Sequence, residues 1–131
     1  MIRPSSYRPQ DVAAGVRTSA MRFPGKTAVT LGEASLTYGA LVDRMNRVTH
    51  GARALGLGEG GNAAIMAGNR LEYFEIVAGL AATGGAVATV NPRQTPAELG
   101  AIARDCEARI VFADPAFEDA IRAADLPEGC R

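Results

Sequence analysis

Lysine is almost absent from this sequence, although basic residues are present in ordinary number. Lys26 is the only lysine among 14 basic residues, and all the others are arginine. A mechanism that needs a reactive amine, or a lysine bound to a phosphate, therefore has a single candidate. The 14 acidic residues cancel the positive charge, so the charge balance does not indicate nucleic acid or an anionic membrane as a partner.

Cysteines and long apolar runs are also scarce. Cys106 and Cys130 form no CxxC motif and have no histidine beside them, which is typical of a reduced, cytoplasmic protein. The longest uncharged stretch, residues 76–92, is interrupted by a glycine pair and is too short to cross a bilayer. No apolar segment follows the first basic residues, Arg3 and Arg8, so we expect neither a signal peptide nor a membrane span.

The sequence does contain a regular alternation of strand and helix patterns. Its 131 residues, 47% hydrophobic and 21% charged, predict one globular domain over 1–131, with 125–131 as an open-ended linker. Apolar strands are predicted at 62–67, 86–90 and 109–113, and a β-hairpin at 27–31 and 34–36. Because helical patterns separate the three strands, they should pair in parallel. We therefore predict an α/β fold with three layers: a mainly parallel sheet, flanking helices and a short N-terminal hairpin.

Capping residues indicate where the helices begin. A first helix is expected over 11–23 and a third, apolar nearly all round, over 69–83. Caps are predicted at Thr37, at Asn69 (with Glu72), at Thr95 (with Glu98) and at Asp114. The apolar stripe of the helix after Thr37 is predicted to comprise Leu41, Met45, Val48, Ala52 and Leu55.

The glycine-rich segment 56–61 has the G-x-G-x-x-G spacing of a dinucleotide-binding loop. Such a loop must follow a strand and open a helix, so that the helix N-terminus meets the pyrophosphate. Here the order is reversed, because a helix precedes the segment and a strand follows it. We therefore interpret it as a helix end and a turn.

Two loops have the right polarity to bind a ligand, because parallel sheets bind at the carboxyl ends of their strands. Residues 68–70 follow the first parallel strand and 91–95 follow the second. Each loop combines free helix N–H groups with an arginine, Arg70 or Arg93, which together suit an anion. The competing interpretation is that Asn69 and Thr95 only cap helices.

The remaining polar candidates have simpler explanations. His50 is the only histidine and lies off the apolar stripe of its helix, so a solvated side chain is expected rather than a general base. Glu72 and Glu75 are one helical turn apart, but a cap and an exposed position account for the two carboxylates.

Several segments, in order and at consistent spacing, resemble the N-terminal portion of the adenylate-forming acid–CoA ligases, the AMP-dependent synthetase and ligase superfamily. The similar segments are 23–28, 35–41, 46–47, 53–58, 68–74, 82–87, 90–93 and 95–99. The resemblance implies an incomplete N-terminal subdomain of a larger adenylate-forming fold. It also implies a fatty-acid-type ligase that uses ATP, Mg²⁺ and coenzyme A at full length.

The parts of that family that carry the chemistry have no counterpart in this sequence. The Ser/Thr/Gly-rich phosphate loop, the aromatic-Gly-x-Thr-Glu motif, the ribose-binding Asp and the late catalytic Lys are missing, and Lys26 matches only an early structural segment. The resemblance therefore implies no catalytic, cofactor-binding or metal-binding residue here, no cofactor bound by this chain, and a truncated protein that is inactive alone.

Three parallel strands leave at least one unpaired sheet edge, so we expect a homo-oligomer or association with the remainder of the enzyme. The alternative is a non-catalytic α/β module that binds an anionic ligand or a partner subunit through the loops of Arg70 and Arg93.

Overall fold

A parallel three-stranded sheet lies at the centre of the structure, a computed structural model that describes residues 11–131. The prediction that no signal peptide is present concerns residues 1–10 and lies outside the described residues. The elements, in chain order, are α1 (Val12–Arg22), β1 (Thr27–Leu31), β2 (Ala34–Thr37), α2 (Tyr38–Ala54), β3 (Asn62–Met66), α3 (Glu72–Ala81), β4 (Ala86–Val90), α4 (Pro96–Asp105), β5 (Ala108–Ala113), a 3₁₀ turn (Pro115–Phe117) and α5 (Glu118–Ala123).

The sheet order is β4-β3-β5, and both pairings are parallel. Met66 at the end of β3 lies between Val90 of β4 and Ala113 of β5. All three strands therefore end at the same edge of the sheet. The strands β1 and β2 form a separate antiparallel hairpin.

Successive strand residues face opposite sides of the sheet, and each side has its own apolar cluster. Ala63 and Ile110 pack with Leu80 of α3 on one side, whereas Ala64 and Met66 pack with helix α4 on the other. Helix α1 packs outside α2 and α3. The three-layer α/β fold with its N-terminal hairpin is therefore confirmed.

Three of the four predicted caps form as the sequence indicates. Asp114 Oδ1 accepts the N–H of Ala116 over 3.0 Å at the start of the 3₁₀ turn. The hydroxyl oxygen of Thr37 accepts the N–H of Ala40 at the start of α2. Thr95 and Glu98 form a complete capping box at the start of α4, and the bonds that the Glu98 carboxylate accepts from Thr95 lower its pKa.

The prediction of a capping box formed by Asn69 and Glu72 is wrong. Helix α3 begins at Glu72 itself, with Leu71 as an N-cap that makes no side-chain bond. Leu71 already has helical dihedral angles, so Asn69 lies too far before the helix to cap its first N–H groups.

The end of α2 also differs from the predicted stripe. Leu55 is the C-cap and is 45% exposed, whereas Leu57, two residues beyond the helix, is 1% exposed. The chain turns at Gly56, where φ is +90°, and the turn brings Leu57 back under the sheet. Helical periodicity does not continue past a helix end, so the sequence pattern assigned the wrong leucine.

Residues 125–131, expected to be a linker, contain no helix or strand but contact the sheet. The N–H of Arg131 donates to Arg109 O over 3.0 Å, and the N–H of Val111 donates to Arg131 O over 2.8 Å. Leu126 and Cys130 pack against the cluster under α4. Across residues 11–131, the helices are all too short or too polar to cross a membrane.

Candidate functional site

The loops that follow β3, β4 and β5 meet at the carboxyl edge of the sheet, where parallel sheets bind ligands. A cavity of about 210 Å³ lies there. Its apolar wall consists mainly of Ile65, Tyr73, Ile76 and Phe112, and Arg70 and Asp114 are among the charged residues that line it.

Arg70 is held by carboxylates rather than left free for an anion. Its Nη1 lies 3.0 Å from Asp114 Oδ2, and its Nε lies 3.5 Å from Glu72 Oε2. The bond to Asp114 is the main reason that the pKa of Arg70 is raised. The pKa of Asp114 is lowered, first by the N–H of Ala116 and then by Arg70. An anion would have to displace these two carboxylates.

Arg93 lies in the loop after β4, and its side chain is exposed. Its backbone N–H donates to Asn91 Oδ1 over 2.9 Å, which shapes the loop as a short turn. The N-terminal N–H groups of α4 are partly occupied by the Thr95–Glu98 capping box. Of the two arginines that the sequence singled out, only Arg93 is free of an ion pair among the described residues.

A larger groove, which the sequence did not predict, lies between α1, the β-hairpin, α3 and the ends of β3 and β4. Its volume is about 940 Å³. Three large apolar side chains that line it are well exposed: Val12 (59%), Leu31 (43%) and Phe74 (52%). Asn69 and Asn91 add polar groups. The surplus of apolar residues in the third predicted helix was the only signal of this surface in the sequence.

The sequence predicted an exposed position for Glu75, and this prediction is wrong. Glu75 is buried between α2 and α3, with 9% of its surface exposed. Its carboxylate forms a bidentate pair with Arg44, with Nη2 3.1 Å from Oε1 and Nε in contact with Oε2. The bond to Glu75 is the largest reason that the pKa of Arg44 is raised. The carboxylate therefore ties two helices together and is not paired with Glu72.

Lys26 and His50 remain apart from these cavities. Lys26 is exposed, and its Nζ lies 5.9 Å from the centroid of the Phe23 ring. His50 is exposed on α2, as predicted. The glycine-rich segment 56–61 follows α2 and precedes β3, which confirms its interpretation as a helix end and turn. Within residues 11–131, no group of three or more acidic, histidine or cysteine side chains could hold a metal ion.

Comparison with known proteins gives a consistent result. Residues 16–130 match the family model described as AMP-binding enzyme. The chain is 33% identical over 98 residues to the fatty acid–[acyl-carrier-protein] ligase ScoC of Streptomyces coeruleorubidus, a match that covers 75% of this chain and 19% of that protein. It is 32% identical over 79 residues to a long-chain-fatty-acid–CoA ligase of Thermus thermophilus, covering 60% of this chain and 15% of that protein.

A solved structure shares the fold. The benzoate CoA ligase of Burkholderia xenovorans matches with a TM-score of 0.84 and 25% identity, and the match covers 91% of this chain and 24% of that one. The chain thus spans less than a quarter of the length of each of these proteins.

Proposed function

This chain belongs to the AMP-binding enzyme family, and from that membership we propose that it is the N-terminal part of an ATP-dependent acid–CoA ligase. The full enzyme would join a carboxylic acid to ATP, releasing pyrophosphate and forming an acyl-adenylate, and would then transfer the acyl group to coenzyme A with release of AMP. The match over residues 16–130 is the observation that carries this proposal.

We further propose that the acid is of the fatty-acid type. The support is that the two curated relatives above are both named as fatty acid ligases. A cytoplasmic location agrees with the two free thiols of the chain.

The 131-residue chain by itself is proposed to be inactive. The support is that Arg70 is neutralised by carboxylates, that Lys26 lies against Phe23, and that residues 11–131 contain no acidic cluster for a metal ion. The groups that bind phosphate and metal would come from the remainder of the enzyme.

The test compares two preparations. The first is the purified chain alone, and the second is the protein that contains these residues, captured from its own cells with an antibody to them. Acid-dependent exchange of pyrophosphate into ATP is expected only from the second, and fatty acids should be better substrates than benzoate or amino acids. Pyrophosphate release by the chain alone would overturn its inactivity, and a captured protein without exchange would overturn the ligase proposal.

The alternative of an anion-binding module has one point of support, the exposed side chain of Arg93. The ion pair of Arg70 with Asp114 counts against it. Calorimetric titration of the chain with ATP, AMP and coenzyme A should give no saturable heat if the chain is a ligase fragment. Saturable binding that Arg93→Gln abolishes would favour the module instead.

We also propose that the isolated chain self-associates. The support is the exposed apolar groove at Val12, Leu31 and Phe74, together with the outer edge of β4, which pairs with no other strand among the described residues. Light scattering at increasing concentration should give a dimer or a larger species. A monodisperse monomer at high concentration would contradict this proposal.

A further inference from the structure

Cys106 and Cys130, which are 24 positions apart in the numbering, lie against one apolar cluster. Both thiols are free and half-buried. Both pack against the residues between the sheet and α4, which include Met66 and Leu99. Neither thiol has a role in the function proposed above.

The backbone of Arg131 explains why Cys130 reaches this side of the sheet. The bonds of Arg131 to Arg109 and Val111 have the pattern of a parallel strand pair centred on Ile110. Cys130 therefore lies beside Arg109, at the strand separation of about 4.8 Å. Because residues alternate between faces, Cys130 points to the face that carries α4.

Cys106 approaches the same place from the other direction. It is the C-cap of α4 and stands two positions before Ala108, the first residue of β5. Both cysteines are thus at the amino end of β5 and on its α4 side. Asp125 reinforces the contact, because its carboxylate pairs with Arg104 of α4 over 2.6 Å.

We propose that Cys106 and Cys130 form a reversible disulfide that fastens residues 126–131 to the turn between α4 and β5. The bond would hold the terminal segment against the outer edge of β5. The chain would then carry a thiol switch that sets how firmly this edge of the sheet is covered.

Forming this disulfide removes two electrons from the two thiols, and we propose a peroxide as the oxidant that accepts them. The Cys106 thiolate attacks one peroxide oxygen, the O–O bond breaks, and hydroxide leaves, so that Cys106 becomes a sulfenic acid. The Cys130 sulfur then attacks the Cys106 sulfur, the S–S bond forms, and the sulfenic oxygen leaves as water with the Cys130 proton. The two sulfurs are oxidised and hydrogen peroxide is reduced to two waters.

The environment of Cys130 suits the second of these roles. Burial is the main reason that the pKa of its thiol is raised; the backbone N–H of Arg131 offsets part of this effect, and the charge of Cys106 adds to it. A thiol that keeps its proton is a poor first nucleophile towards peroxide. It can still resolve a sulfenic acid that forms close to it.

The test is a peptide map of the chain after treatment with stoichiometric hydrogen peroxide at low protein concentration. The intact mass should fall by about 2 Da, the mass of two hydrogens. Trypsin without reductant should release residues 105–109 joined to residues 123–131, and dithiothreitol should separate them. Sulfinic acid at either cysteine without a joined peptide, or only links between chains, would overturn the proposal.

Unfolding in urea supplies a second measurement. Oxidised chain should unfold at a higher urea concentration than reduced chain, because the cross-link restricts the unfolded state. Cys106→Ser and Cys130→Ser should each abolish both the joined peptide and the shift in midpoint. An equal shift in either variant would contradict the assignment of the pair, and the peptide map of the unmodified chain decides the matter if a variant does not fold.

Discussion

Thr49 Oγ1 of α2 donates a hydrogen bond over 2.8 Å to the carbonyl oxygen of Gly79 in α3. A Cβ atom built on Gly79 would stand 2.7 Å from Val48 Cβ and 2.8 Å from Met45 O. No side chain fits at such distances. The absence of a side chain at Gly79 therefore lets the backbones of the two helices come into contact. This contact buries the carbonyl oxygen of Gly79, and the hydroxyl of Thr49 satisfies it with a hydrogen bond.

Gly79→Ala should lower the free energy of unfolding by about 1–3 kcal/mol, the usual cost of overpacking a close contact. Urea denaturation followed by circular dichroism measures the change. The matched control is Gly51→Ala in α2, because a Cβ there meets nothing within 4 Å. That variant should be more stable by about 0.5–1 kcal/mol, since alanine favours a helix. A neutral or stabilising Gly79→Ala would mean that the helices do not touch there.

The Arg44–Glu75 pair should contribute measurably to stability, unlike the surface pairs. The Glu75 side chain is 12% exposed, although that of Arg44 is 39% exposed, so we discount a charged hydrogen bond to about 1 kcal/mol. A double-mutant cycle with Arg44→Gln and Glu75→Gln should return a coupling of that size. The exposed Arg122–Glu118 pair should couple by about 0.3 kcal/mol. Equal couplings would show that burial between α2 and α3 does not strengthen the pair.

Glu107 is the only non-glycine residue with positive φ among the described residues, at 51°. It follows the C-cap of α4, and its N–H donates to Arg104 O over 3.0 Å. Since a side chain disfavours this left-handed conformation, Glu107→Gly should raise the stability by about 0.5–1 kcal/mol. Glu107→Ala serves as the control and should give no such gain. A loss of stability in Glu107→Gly would show that the left-handed conformation of Glu107 is not strained.

The Glu98 carboxylate should make the chain less stable in acid. Its pKa is lowered in the folded state by bonds from Thr95, so its contribution is complete above the unfolded value, about 4.3. The contribution is lost as the pH falls through the lower, folded value. Glu98→Gln should therefore unfold at lower urea concentration than the parent at pH 7, and the difference should shrink towards pH 3. A difference that stays constant with pH would exclude this linkage.

Thr95→Ala tests the other half of the same capping box. It removes the acceptor for the N–H of Glu98 and should cost about 1 kcal/mol. Asn69→Ala is the informative control, because Asn69 makes no cap in the structure. Asn69→Ala should leave the urea midpoint nearly unchanged. A loss of stability equal to that of Thr95→Ala would show that Asn69 does cap α3, as the sequence predicted.

Local patterns located most of the elements because the forces behind them are local. The period of apolar residues placed the three parallel strands within one residue of their observed ends. The cap at Thr95 was recognised because all its partners lie within four positions. The order of strands and helices then implied the three layers, since parallel strands need crossover helices.

The errors at Asn69 and Leu55 concern helix ends, but those at Glu75 and Arg70 arise because a residue distant in the chain decides the pairing. The partner of Glu75 is Arg44, 31 positions earlier, and that of Arg70 is Asp114, 44 positions later. A sequence pattern over a few neighbouring residues cannot indicate either ion pair. The sequence therefore favoured an anion at Arg70, whereas the structure has the Asp114 carboxylate, in the segment after β5, against its guanidinium.

The sequence by itself determined the alternation of strands and helices and the family, because periodicity, caps and ordered motifs are written along the chain. Only the tertiary structure decided which charges are neutralised, which leucine is buried, and which apolar side chains remain exposed around the groove. Those outcomes depend on residues that are far apart in the chain and come into contact only when the helices pack on the sheet.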